Sequence, residues 1–344
     1  MGEGWSRWLS IRGNLEEVDL NIRIAEYLRD EANESNFLDD LANIIQAMKN
    51  KSARFSKGTA APWAKLEDDL VELVYGSNYI EMLGSNLEVT DKLCRRIFRG
   101  EHVFAKVEEG SADYEQARAA LLALKRPSSP EDVIHSRQEI INHAQAMAYA
   151  IDHVVLDGEA ITEYFLQEAH KKLCFGGVLS EDAGSPGLYR TWEIAARHGK
   201  DFKSKSVFIR ASAVPRYMRS LVEDLRVDMI KAEETKRIDP FDMANRYCHR
   251  LVCIHPFGDG NGRMCRILLN ILLLKYAGLV STFGGSEDER KEYLDLARRG
   301  NKKFHEEDME VVEEEKRGHR ELARFVLRNC KGTLENLLDM GVEG

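Results

Sequence analysis

Apolar residues recur three and four positions apart along most of the chain, the spacing of helices that each bury one face. Such stripes occupy residues 17–32 and 36–49. A looser stretch, SARFSKGTAAP, follows as a linker, and a further helix is expected from Trp63 to Met82. Ser129-Pro130-Glu131 reads as a helix start, a capping hydroxyl followed by proline in the first turn. From there Val133, Ile134, Ile140, Ile141, Ala144, Met147, Ala148 and Ile151 mark one face of a long helix. Amphipathic helices are predicted again at 161–175 and 217–232, and Asp239-Pro240 opens another with the stripe Phe241, Ala244, Tyr247, Cys248, Leu251 and Val252. The next helix runs from about Asn261 to Ala277 and stops at Gly278, a C′ glycine.

One stretch breaks the helical period. GLYRTWEIAARHGKDFKSKSVFIRASAVP holds two short extended segments, around Thr191–Ala195 and Ser206–Ile209, joined by a polar loop with glycine. That pattern predicts a β-hairpin. The fold class is therefore all-α with one short β-hairpin, and no repeat at solenoid spacing is visible.

Composition narrows the function classes. At 43% hydrophobic and 31% charged residues the chain can bury a core, and a formal net charge of −9 disfavours a general nucleic-acid binder. No membrane partner is expected: the most apolar stretch, from Ile267, is interrupted by Asn270 and Lys275 and is too short to span. No charged-then-apolar leader is seen, and six scattered cysteines read as reduced thiols of an intracellular, cytoplasmic protein. Cys253, His255 and Cys265 lack the spacing of a zinc site, and the start MGEGWS matches N-myristoylation only loosely.

The candidate chemistry lies between the last two helices, in HPFGDGNGRMCR at 255–266. Gly260-Asn261-Gly262 can aim successive N–H groups into one concavity at a helix N-terminus, which favours an anion. Arg263 and Arg266, three apart, share a face in the first turns of that helix. Cations there oppose the helix dipole by about 0.3–1 kcal/mol each, so two of them need a reason, and a phosphate chain supplies it. Asp259 is an oxygen ligand suited to Mg²⁺ on a di- or triphosphate, and His255 can take a proton near neutral pH. Nest, metal ligand, base and guanidinium clamp describe phosphoryl or nucleotidyl transfer. Each part alone has an ordinary reading: a core histidine, a turn, a solvated arginine face. Their occurrence together in one loop favours the functional one.

This loop resembles the signature of the Fic (filamentation-induced-by-cAMP) family, H-x-F-x-[DE]-G-N-G-R-x-x-R, at every fixed position. ITEYFLQEAHKKL, GLYR, the hairpin, VPRYMRSLVEDL and DPFDMANRYCHRLVCIHPF look like the Fic core in the expected order. The resemblance covers roughly residues 130–300, a Fic core, and one element upstream. The expected division is an N-terminal helical region of unknown role (1–60), a helical segment carrying that upstream element (61–129), the core (130–300) and a C-terminal helical extension (301–344). The resemblance implies AMPylation, the transfer of AMP from MgATP to a protein hydroxyl, with ATP and Mg²⁺ as cofactors. On that reading His255 is the base, Phe257 anchors the loop, and Asp259 holds Mg²⁺. Gly260, Asn261 and Gly262 cradle the α- and β-phosphates, while Arg263 and Arg266 grip the β/γ end. Ser206, Val207, Phe208, Ile209 and Arg210 form the flap that registers a protein substrate, which could be the chain itself. A homodimer stays open.

Many members of the family carry an inhibitory helix, [ST]-x-x-x-E-[GN], whose glutamate pairs with the second signature arginine. Upstream, YGSNYIEMLGSN supplies Ser77 and Glu81 at i,i+4 on one helical face, but Met82 stands at the sixth position. Autoinhibition by Glu81 is the expectation that follows. The same loop would also serve removal of AMP or transfer of another phosphate-containing group. A non-catalytic, nucleotide-regulated interaction module is the reading from another class, and the intact His255 argues against it. A P-loop kinase is disfavoured because G-x-x-x-x-G-K-[ST] is absent from the sequence.

Overall fold

The computed structural model describes residues 61–176, 184–198, 204–308, 310–312 and 315–339. The stripes and linker expected before residue 60 lie outside the described residues. Ten α-helices and one two-stranded hairpin are present among the described residues, so the expected fold class holds. In chain order the first helices are α1 (Ala61–Ile80), α2 (Leu87–Phe98), α3 (Ala112–Ala123), α4 (Pro130–Ala150, running on as a π-turn through Ile151–Leu156) and α5 (Glu163–Leu173). The hairpin strands β1 (Ala195–His198) and β2 (Ser204–Val207) follow. Then come α6 (Val214–Thr235), α7 (Pro240–Ile254), α8 (Asn261–Ala277), α9 (Glu287–Asp308) and α10 (Arg320–Asp339).

Local chemistry explains where the helices begin and end. Ser129 caps α4 in a reciprocal box with Asp132, and Pro130 fills the first turn, where a missing N–H costs nothing. Thr162 and Asp239 cap α5 and α7 through their side-chain oxygens. Gly278, at φ 65°, ends α8 in the left-handed conformation.

Helix α8 is the centre of the domain. Fourteen of its residues are buried, so it is apolar almost all round, and α7 packs along it. Its one interior amide is satisfied: Asn270 donates to the Arg266 carbonyl and accepts from the Ser281 N–H. α4 crosses both α5 and α8, while α9 and α10 close over α7. All six cysteines are buried and unbridged. No helix among the described residues is long and apolar enough to cross a membrane.

The hairpin differs from expectation in register. The first strand starts at Ala195, where the predicted one ends, and pairs antiparallel with β2 as Ala195↔Val207 through His198↔Ser204. The second strand stops at Val207 rather than Ile209. The reason lies outside the hairpin. The Val207 carbonyl accepts from Asn301 and His305 of α9, and the Ile209 carbonyl accepts from Arg190, so neither is free to extend the ladder.

Candidate active site

The signature loop joins two helix ends. His255 is the C-cap of α7, at φ 53° and ψ 60°, a left-handed conformation unusual for a residue with a side chain. Gly260, at φ 72°, precedes α8 in the same conformation, and a Cβ there would press on Cys174 and His170. Directly after Gly260, Asn261 folds back on the loop: its Oδ1 accepts from the Phe257 N–H and its Nδ2 donates to the Phe257 carbonyl. The Asn261 side chain is thus a staple, and only its backbone remains for an anion. Phe257 is fully buried, its ring stacked 3.7 Å from that of His170.

His170, from α5, fixes the loop from the other side. It accepts from the Gly187 N–H at Nδ1 and so donates through Nε2 to the Asp259 carbonyl, 2.9 Å away. Burial pushes its imidazole down to about 4, and Arg263 adds to the effect, so the ring is neutral at physiological pH. The Asp259 side chain is left 59% exposed, and its one ion pair among the described residues is a long 4.0 Å contact to Arg263.

His255 has a defined tautomer. Its Nδ1 lies 3.1 Å from the Val252 carbonyl, which can only accept, so Nδ1 carries the hydrogen and Nε2 the lone pair. Burial pushes this imidazole down to about 4, with Arg190 acting in the same direction. The Phe208 ring stacks on it at 3.8 Å and 16°.

The two signature arginines part company. Arg266 was expected to meet Glu81, and it does: Glu81 Oε1 lies 2.6 Å from Arg266 Nη2. Arg266 Nε also donates to Ser77 Oγ at 2.7 Å, Nη2 to the Ser77 carbonyl at 2.9 Å, and Nη1 reaches the Tyr293 hydroxyl. Burial opposes the charge on Arg266, but Tyr293 and Glu81 more than offset it, so the guanidinium stays protonated. Arg263 was expected on the same face. It lines the same cavity as Arg266, but its guanidinium is taken by the Glu139 carboxylate of α4, both groups being buried. A charge that deep needs a counter-charge, and Glu139 is the one supplied.

Glu81 reaches the start of α8. A side chain at Gly262 would collide with Glu81 Oε1, so the carboxylate sits against the positive end of that helix. The turn that delivers it is a Schellman motif: the Leu83 N–H bonds the Asn78 carbonyl, and the Met82 N–H bonds the Tyr79 carbonyl. Met82 therefore occupies the C′ position, at φ 59° and 51% exposed.

These parts surround a cavity of about 410 Å³ lined by Glu81, His255, Asp259, Gly260–Gly262, Arg263, Arg266, Ser206 and Phe208. Of the expected flap residues, Ser206 and Phe208 line the cavity; Val207 and Arg210 are exposed, and Ile209 is buried. A further part of the lining was not anticipated: α9 contributes Tyr293, Leu294, Ala297, Arg298 and Asn301. The boundary expected at residue 300 thus falls inside a continuous helix that lines the site. Arg190 and Glu139 were also missed, because their partners are 65 and 124 positions away. No cluster of three or more His, Cys, Asp or Glu side chains suited to a metal is found among the described residues. Asp259 alone fits Mg²⁺ delivered on phosphates, since that ion keeps waters and needs only one or two protein carboxylates.

Residues 160–273 match the Fic/DOC family. A stretch of 61 residues is 41% identical to the protein adenylyltransferase fic-1 of Caenorhabditis elegans, covering 18% of this chain and 12% of the relative. A stretch of 176 residues is 26% identical to the protein adenylyltransferase Fic of Nematostella vectensis, covering 50% of this chain and 37% of the relative. The chain thus spans well under two thirds of these relatives. The crystal structure of a Fic-domain-containing signaling protein from Bacteroides thetaiotaomicron shares the fold, with a TM-score of 0.60 at 15% identity over 86% of this chain and 96% of that one.

Proposed function

Residues 160–273 of this chain are a Fic/DOC-family domain, and from that premise we propose that the protein is an adenylyltransferase. It moves AMP from MgATP to a Ser, Thr or Tyr hydroxyl of a protein substrate, the chain itself being one candidate. The names of the nematode and sea-anemone relatives support the enzyme class. The observation that carries the reading is a neutral imidazole with its Nε2 lone pair free, in one cavity with a helix N-terminus and a buried guanidinium.

In this reading the target segment adds to the hairpin and brings its hydroxyl to His255. Nε2 takes the hydroxyl proton as the oxygen attacks the α-phosphorus. The new O–P bond forms while the bond to pyrophosphate breaks, and pyrophosphate leaves. The N–H groups opening α8 and the Arg266 guanidinium face the phosphates, supplying fixed positive charge as negative charge builds. Asp259 would hold Mg²⁺, which when bound draws charge from the phosphate oxygens. Arg263, tied to Glu139, adds fixed positive charge to the cavity wall.

The conformation described is the restrained one. The Glu81 carboxylate lies against the α8 N-terminus and engages Arg266, the two groups a terminal phosphate would use. A like charge in that place repels the γ-phosphate, and Glu81 holds the enzyme in a low-activity state.

The reading is tested by mass spectrometry of proteins co-expressed with the chain, in its parent form and as Glu81→Gly. Side-chain hydroxyls carrying AMP are expected, and none with His255→Ala. Absence of AMP on every protein, including the chain itself, from both active forms refutes it.

A further inference from the structure

Arg190 precedes β1 and is 2% exposed, yet no carboxylate hydrogen-bonds its guanidinium among the described contacts. The Glu193 carboxylate favours the charge from nearby, but burial outweighs it, and the guanidinium's hydrogen bonds go to oriented dipoles. Here the dipoles are carbonyls. Nε donates to the His255 carbonyl at 2.7 Å, Nη2 to those of Ile254 (3.3 Å) and Ile209, and Nη1 to that of Trp192 at 2.8 Å. The Arg190 backbone N–H donates to the Pro256 carbonyl at 2.8 Å. One residue therefore takes up three successive carbonyls, 254 to 256, around the base.

Two consequences follow. The first concerns His255, whose left-handed backbone costs about 1 kcal/mol or more for a residue with a side chain. It ends α7, where orphan carbonyls point outward with partial negative charge. The guanidinium satisfies those carbonyls and holds the strained residue in the one conformation that keeps Nδ1 on Val252. The second concerns the hairpin. Ile209 follows β2 directly after Phe208, and Phe208 stacks on the His255 ring. The root of the hairpin and the backbone of the base are thus bonded to the same planar group.

We propose that Arg190 is a positioning residue that locks His255 and the root of the target-docking hairpin into one unit, so that a hydroxyl registered on the hairpin meets the base. The proposal rests on the reading of His255 as the base. The phosphate-binding half of the loop is held separately, by Asn261 on Phe257 and His170 on Asp259, so loss of Arg190 leaves nucleotide binding in place.

The test uses the full chain carrying Glu81→Gly, with Arg190→Lys or Arg190→Met added. Three quantities are measured: transfer of label from α-labelled ATP, MgATP affinity by calorimetry, and amide hydrogen exchange by segment. The expected result is at least a tenfold fall in kcat with MgATP affinity within threefold. Faster exchange is expected in 253–258 and 207–211 together and not elsewhere. Lysine, which keeps the charge and some donors, should retain more activity than methionine, and it serves should the methionine variant fail to fold. Parental kcat, or faster exchange in only one of the two segments, overturns the proposal. So does a general rise in exchange with lost MgATP affinity, the mark of a residue that only stabilises the fold. Should the Glu81→Gly parent transfer no label, the AMP-transfer reading fails, and the paired exchange response alone decides whether Arg190 joins the two segments.

Discussion

Glu81 Oε1 stands 2.6 Å from Arg266 Nη2, a contact between residues 185 positions apart that ties the end of α1 to the first turns of α8. Ser77, one turn earlier, binds the same guanidinium through its hydroxyl and its carbonyl. Arg266 is therefore held in place by Ser77 whether or not Glu81 is there. The carboxylate adds negative charge at the one spot where an incoming phosphate chain would need none.

Glu81→Gly should accordingly free Arg266 without displacing it. AMP transfer, self-modification included, is expected to rise by at least about tenfold, equivalent to roughly 1.4 kcal/mol of relieved competition. The initial rate of label incorporation from α-labelled ATP reads this out. A parental rate together with parental ATP affinity would show the contact to be structural only.

His255→Ala removes the proton acceptor but none of the groups that face the phosphates. Transfer should fall by about 10²–10⁴-fold while MgATP affinity holds, and adding Glu81→Gly should not restore it. Undiminished labelling would remove His255 from the base's role.

Met82 offers a check on the turn itself. A methionine at the C′ position adopts φ 59°, which glycine occupies without strain. Its side chain is half exposed and loses little packing on removal. Met82→Gly is expected to stabilise the fold by roughly 1 kcal/mol and, by firming the turn that carries Glu81, to lower basal transfer. A melting temperature below the parent's would contradict this.

Histidine burial sets the direction of the pH response. His170, His249 and His255 are each pushed down to about 4 by burial. Below the unfolded value of about 6.5 the unfolded chain takes up protons that the folded chain refuses. Stability is therefore whole above about 6.5 and is lost as pH falls towards 4, by up to about 1.4 kcal/mol per pH unit for each histidine. Asp69, pushed up to about 6 by burial, acts in the opposite sense, but one carboxylate does not outweigh three histidines. Thermal melts should show a Tm well below the neutral value at about pH 5, and an unchanged Tm would refute the buried, neutral assignment.

Local signals were the legible ones. Ser129, Asp239 and Gly278 announce their helix ends because a cap acts on its own first or last turn. The loop between α7 and α8 could be read for the same reason, since its chemistry sits in twelve consecutive residues. Ser77 and Glu81 were reachable only through the family pattern, as nothing near them in sequence names Arg266. Arg263 shows what spacing leaves open: three residues from Arg266 puts both on one cavity, but its partner is Glu139 on a distant helix. The wall from α9, the shifted strands and the carbonyl cluster around Arg190 likewise depend on contacts that no local pattern encodes.

The central claim is that this cavity transfers AMP. The most direct measurement incubates the Glu81→Gly protein and Mg²⁺ with ATP labelled at the α-phosphate, and in parallel with ATP labelled at the γ-phosphate. AMP transfer leaves the α label on protein and releases the γ label with pyrophosphate. Protein labelled from the γ position, or from neither, would contradict the claim.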